Sequence, residues 1–182
     1  NTAYGSFTPQ PYYMHRQLIY GQYDANFSDN AYSYGIPTYA PASIQGSEYT
    51  TNEGYTLPWV GLGGSTTYKL PVTNYITGVA KPVLSTTYSG QSDDQITTNG
   101  KNHHVQLWLD NVKLTDDSFR GFYTKTITTR SIDTPISLTA NTLLTLKSIN
   151  DLFLTADWNS LAFAELLYPR AFELNNTTAV NF

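Results

Sequence analysis

Hydrophobic and polar positions alternate most cleanly between His104 and Thr129. There Val105, Leu107 and Leu109 are interleaved with Gln106, Trp108 and Asp110. A period of two is that of a strand with one buried face, so the three aliphatic side chains are expected to point together into a core. A second run rich in Phe, Tyr, Thr and Ile begins after the polar stretch Thr115-Asp116-Asp117-Ser118, which predicts a β-hairpin turning there. If Leu114 pairs with Phe119, Leu109 faces Thr124 and Trp108 faces Lys125, a register that lays a cation over the indole.

Similar short β-like runs occupy much of the chain after Gly54. Thr66 to Ile76 and Lys81 to Tyr88 are separated by Thr77-Gly78, and Ile136 to Leu138 and Thr142 to Ile149 are separated by a turn at Asn141. Pro71 and Pro82 fall where a strand begins or lies at an edge, and Ser89 to Asn102 reads as loop with a turn at Asn99-Gly100. Turn signals about every ten residues, with no internal repeat, are the signature of a sandwich or barrel. The expected body is an all-β, jelly-roll-like antiparallel β-sandwich over residues 56–182, with about eight strands. Asp157 to Tyr168 predicts one short C-terminal helix, capped by Asp157, apolar at Phe163, Leu166 and Leu167 and ended by Pro169; a buried strand is the alternative.

Residues 1–55 differ. They hold ten of the fifteen tyrosines but few aliphatic residues, and Pro9, Pro11, Pro37 and Pro41 punctuate them. Apart from a strand at Gln17 to Tyr20, this third reads as a long, irregular, Tyr-rich N-terminal arm. With so little aliphatic material it cannot offset its own ordering entropy, so it is expected to lie on its own body or on a neighbouring subunit. Tyr12, Tyr13, Tyr20, Tyr23, Tyr32, Tyr34 and Tyr39 are the candidate assembly contacts, since tyrosine supplies stiff contact area with a polar tip.

Composition removes several functional classes. A chain of 182 residues without cysteine has no disulfide, thiolate nucleophile or Cys-ligated metal. The net charge is −4 and Lys and Arg stand singly, so the counterion release that drives nucleic-acid binding is missing. No apolar run approaches the ~18 residues of a membrane span. Catalytic patterns are also missing. Gly61-Leu62-Gly63-Gly64-Ser65 runs into a strand and lacks the GK[ST] of a phosphate loop. No GxSxG marks a nucleophile, the four Glu show no paired spacing, and the expectation is a protein that is not an enzyme.

The remaining candidates are binding groups. His103 and His104 are neighbours on one strand and so face opposite ways; solvated or turn-capping roles are expected for them. Asp93-Asp94 and Asp116-Asp117 are placed in loops, with turn chemistry as their first role and calcium as the one candidate cofactor. Trp59 and Trp108 form a candidate sugar platform.

In texture the sequence resembles virion shell, spike or decoration proteins and extracellular filament subunits. That resemblance implies a non-enzymatic structural subunit, in a virion or outside the cell, whose partners are copies of itself or other subunits. The alternative is a secreted carbohydrate-binding or adhesin module that uses surface Trp and Tyr, with calcium.

Overall fold

The computed structural model describes residues 10–21, 31–34, 53–92, 100–121, 124–129, 132 and 136–172. Their strands are β1 (Tyr12–Tyr20), β2 (Ala31–Tyr34), β3 (Glu53–Thr56), β4 (Ser65–Lys69), β5 (Val83–Gly90), β6 (His103–Leu109), β7 (Val112–Phe119), β8 (Thr124–Thr129), β9 (Leu143–Ser148) and β10 (Asn159–Ala171). One four-stranded sheet has the order β1-β10-β5-β8 and a second the order β4-β9-β6-β7; β2 and β3 form a small third sheet. Every pairing is antiparallel. The chain is therefore an all-β, jelly-roll-like sandwich. Among the described residues there is no helix, and so none long and apolar enough to cross a membrane.

Alternation builds the core as the sequence indicates. Val105, Leu107 and Leu109 of β6 are buried, as are Leu144 and Leu146 of β9. They meet Leu84 and Tyr88 of β5 and Ala164, Leu166 and Tyr168 of β10 across the interior. Pro71 and Pro82 lie just outside β4 and β5, where no ladder donor is lost.

Three sequence expectations are corrected. The hairpin turns at Asp110-Asn111 and not at Thr115 to Ser118, so Leu109 pairs with Val112 and Trp108 with Lys113, and Asp116 and Asp117 lie within β7. Asp110 takes a left-handed φ of 48°, which Asp tolerates, and its carboxylate accepts the Leu143 N–H at 2.8 Å. The expected partner run becomes β8, which pairs with β5 in the opposite sheet.

The C-terminal helix is in fact the strand β10. Ala164, Leu166 and Tyr168 point inward at a period of two, while Phe163 and Leu167 cover the other face. A central strand that is apolar on both faces lacks the polar alternation that would distinguish it from a helix. Pro169 is accommodated beyond the end of β5, where its carbonyl accepts the Ile76 N–H at 3.1 Å. Within the expected arm, Tyr12–Tyr20 is a nine-residue strand on the first sheet, longer than the Gln17 to Tyr20 strand expected.

Truncating Leu107, 1% exposed, to Ala leaves a cavity between the sheets. Urea denaturation is expected to show a loss of about 2–5 kcal/mol. Leu143→Ala, at 41% exposure in the control, is expected to stay within about 0.5 kcal/mol of the parent.

Candidate binding site

At one end of the sandwich a group of polar side chains is sealed from water. His103, the first residue of β6, and Asp157, just before β10, both have side-chain exposures of 0%. His103 Nδ1 lies 2.6 Å from Asp157 Oδ1, and Nε2 lies 2.8 Å from the Ser92 carbonyl oxygen. Asp157 also accepts from Ser148 Oγ at 2.8 Å and from Asn159 Nδ2 at 2.7 Å. The imidazole stacks on Phe119 with centroids 4.7 Å apart. Gly90 makes room for it, since a Cβ there would stand 2.5 Å from His103 Nε2.

His103 and Ser148 belong to one sheet, whereas Gly90, Ser92, Asp157 and Asn159 lie on or beside strands of the other. The group is thus an electrostatic clamp between the sheets. Its residue types are those of a hydrolytic triad, but the Ser92 carbonyl occupies the far ring nitrogen and nothing leaves the ring open to a substrate.

His104, one residue on, faces outward and sits between two carboxylates. Its Nδ1 is 2.8 Å from Asp151 and its Nε2 is 2.6 Å from Asp116. Asp116 also accepts from Gln106 Nε2 at 3.0 Å and from Lys113 Nζ at 2.6 Å. Gln106 Oε1 accepts from Trp108 Nε1 at 3.2 Å, and Lys147 Nζ lies 4.4 Å from the Trp108 ring centroid. Partial burial opposes charge on His104, but its hydrogen bonds to Asp116 and Asp151 outweigh that and raise its pKa. Hydrogen bonds from Lys113 and His104 pull the Asp116 carboxyl down to about 2. This network ties the 149–158 loop to the β6–β7 hairpin.

The same loop carries exposed aromatics. Val60 and Asn159 form an isolated antiparallel bridge, with N–O distances of 2.7 and 2.9 Å. In that pairing Trp59, Gly61 and Trp158 share a face. The Trp158 ring lies over Gly61, where a Cβ would come within 3.3 Å of it, and Trp59 meets Trp158 edge to face at 6.2 Å. Both indoles remain exposed, at 41% and 44%. Their backbones are held in place: the Trp158 N–H donates to Ser92 Oγ at 3.1 Å, its carbonyl accepts the Gln91 N–H at 2.7 Å, and Tyr68 Oη donates to the Pro58 carbonyl at 3.3 Å. Burial pushes the Tyr68 hydroxyl pKa well up. Phe153, on the 149–158 loop, is almost fully exposed and has φ 56°, a strained conformation for a bulky side chain.

The structure redistributes the residues singled out from sequence. Trp59 is joined by Trp158 and not by Trp108, which lies five residues along β6 from His103, about 17 Å away at strand rise. The expected cation over Trp108 is Lys147; Lys125 pairs with Asp117. Asp116 and Asp117 point to opposite faces, the second accepting from Tyr88 Oη at 2.7 Å, so the two do not converge on one ion. Among the described residues no cluster of His, Asp and Glu forms a metal site.

Of the histidines, His103 is a buried clamp and not solvated. Tyr12, Tyr13 and Tyr20 lie on β1, where Tyr13 packs on Phe172 with centroids 5.1 Å apart. Tyr32 and Tyr34 are in β2, opposite Tyr55 and Glu53. Tyr23, Tyr39, Asp93 and Asp94 lie outside the described residues. Sequence reading missed Asp157 and Trp158, both assigned to a helix start. The available signal was a tryptophan beside a turn-forming Asp, flanked by Asn159 and Ser160.

Fold and site together define a two-sheet β-sandwich with a rigid aromatic pair at one end. No protein-family model and no curated protein matches the chain. Two solved structures are similar in outline. One is dimeric latent PorU from Porphyromonas gingivalis, at TM-score 0.46 and 13% identity over 93% of this chain; the chain spans only 14% of that protein's length. The other is the CBM36-1 domain of a multidomain xylanase from the hindgut metagenome of Trinervitermes trinervoides, at TM-score 0.42 and 9% identity, covering 84% of this chain and 96% of that domain.

The His104 network sets a pH dependence. Because the His104 pKa is raised in the fold, its stabilisation is complete below pH 6.5 and is lost as pH rises through the folded value. Asp116 acts in the other direction: its contribution is present above pH 3.8 and is lost as pH falls towards about 2. Urea midpoints are expected to fall between about pH 5 and about pH 8 in the parent chain, and His104→Gln should flatten that decline. An equal decline in the variant would assign the effect to other groups.

Proposed function

We propose that this chain is a non-catalytic glycan-recognition module whose contact surface is the Trp59–Trp158 pair. The observation that carries the reading is that two large apolar rings, held 6.2 Å apart on anchored loops, are left 41% and 44% exposed. Exposed aromatic rings that are clustered, unlike apolar residues scattered singly, are a feature of interaction surfaces. Indoles offer stiff, flat contact area at low entropic cost, which suits the C–H faces of sugar rings. The Gln91 amide, which donates to Ser160 Oγ at 2.9 Å, stands close by as a polar group for ring hydroxyls. A catalytic role finds less support. The His103 ring is enclosed, and Asp116, Asp117 and Glu165 are each engaged by a cation.

A second reading, a subunit of a larger virion or extracellular assembly, is supported by a different feature. Strand β1, which carries Tyr12, Tyr13 and Tyr20, forms the edge of its sheet. Either role belongs in a virion or outside the cell.

Titration of tryptophan fluorescence with a panel of oligosaccharides tests the first reading. At least one glycan class is expected to bind, Trp59→Ala and Trp158→Ala should each weaken it tenfold or more, and Trp108→Ala should leave it unchanged. Absence of binding by every glycan at millimolar concentration, or equal loss in Trp108→Ala, contradicts it.

A further inference from the structure

Among the described residues four strands end the two large sheets, and three of them carry features that discourage further pairing. Strand β4 has five residues, ends at exposed Lys69 and is followed by Pro71. The β6–β7 ladder is bulged and β7 carries Lys113, while β8 carries Lys125. Lysine, proline, bulges and short length are the usual means of blunting an edge. Strand β1 has none of these four, its one formal charge being Arg16, which is paired with Glu165: its nine residues, Tyr12–Tyr20, keep unbroken register with β10 and include no Lys, Pro or Gly.

The direction of the backbone groups that β1 does not share with β10 follows from the β10 pairing. The Pro169 carbonyl bonds Ile76 on the side away from β1, so Met14, opposite Pro169, turns its own N–H and C=O away from β10, to the side where no other described strand pairs. By alternation the same holds for Tyr12, Arg16, Leu18 and Tyr20. Met14, Leu18 and Tyr20 are 38%, 37% and 50% exposed.

The strand is also chemically palindromic about Arg16. His15 is mirrored by Gln17, Met14 by Leu18, Tyr13 by Ile19 and Tyr12 by Tyr20. We infer that β1 is a self-recognition edge that pairs antiparallel with β1 of a second copy about a two-fold axis through Arg16. A two-fold contact must be self-complementary, and this register makes it so: Met14 packs on Leu18 of the second copy and Tyr12 on Tyr20 of the second copy. It adds ~10 backbone hydrogen bonds and joins two four-stranded sheets into one. The two Arg16 side chains meet at the axis, but each already holds Glu165 of its own β10, which neutralises the repulsion.

This inference rests on the assembly reading and supplies its partner; it is independent of glycan binding. Sedimentation of the full chain at tens of micromolar is expected to give twice the 20.3 kDa of one copy. Met14→Lys and Leu18→Glu should each raise the dimer dissociation constant tenfold or more. An equimolar mixture of the two variants should recover the dimer. In the mixed pair the introduced lysine of one copy faces the introduced glutamate of the other across one half of the ladder, while an unchanged Leu18 and Met14 meet across the other half. An oligomer whose mass and affinity neither variant alters overturns the β1 edge and leaves assembly standing. A chain that stays monomeric at every concentration overturns both.

Discussion

The His103–Asp157 pair takes two ionisable side chains wholly out of water, and burial of that kind is tolerated only where almost every polar atom finds a partner. Here the partners come from both sheets. Ser148 reaches in from β9, Asn159 from β10 and the Ser92 carbonyl from the end of β5, while Phe119 of β7 lies under the ring. The aliphatic core holds the sheets face to face without fixing which loop meets which. The clamp adds that direction, since a ring with two nitrogens and a carboxylate with two oxygens accept only one arrangement of these segments.

The clamp also explains why an exposed aromatic pair can be rigid. Trp158 follows Asp157 directly, and the Ser92 residue whose carbonyl receives His103 also receives the Trp158 N–H on its side chain. A loop of ten residues, 149–158, is thus fastened at its end by the buried pair and near its start by His104 and Asp151. Stiffness of this kind lowers the entropy that a ligand would otherwise have to offset. The strain at Phe153 is confined between these two fastenings.

How far the sequence could be read depended on whether a segment had one face in water. Strand β6 did, and its alternation was unambiguous; the separation of His103 from His104 onto opposite faces followed from the same rule. Strand β10 did not. With Phe163 and Leu167 on one face and Ala164 and Leu166 on the other, it resembled a helix, and Asp157 then looked like a cap. The hairpin was visible but its turn was not, because the polar run Thr115 to Ser118 outweighed the single αL-tolerant Asp110. The role of Asp157 depends on a partner 54 positions away, a relation that local spacing does not encode.

A double-mutant cycle tests the clamp most directly. His103→Gln, Asp157→Asn and the combined variant would be unfolded in urea beside the parent chain. If the two side chains act as one unit, each single change costs several kcal/mol and the combined loss falls short of their sum by about 2 kcal/mol. Losses that add to within about 0.5 kcal/mol would show two independent buried groups and contradict the clamp.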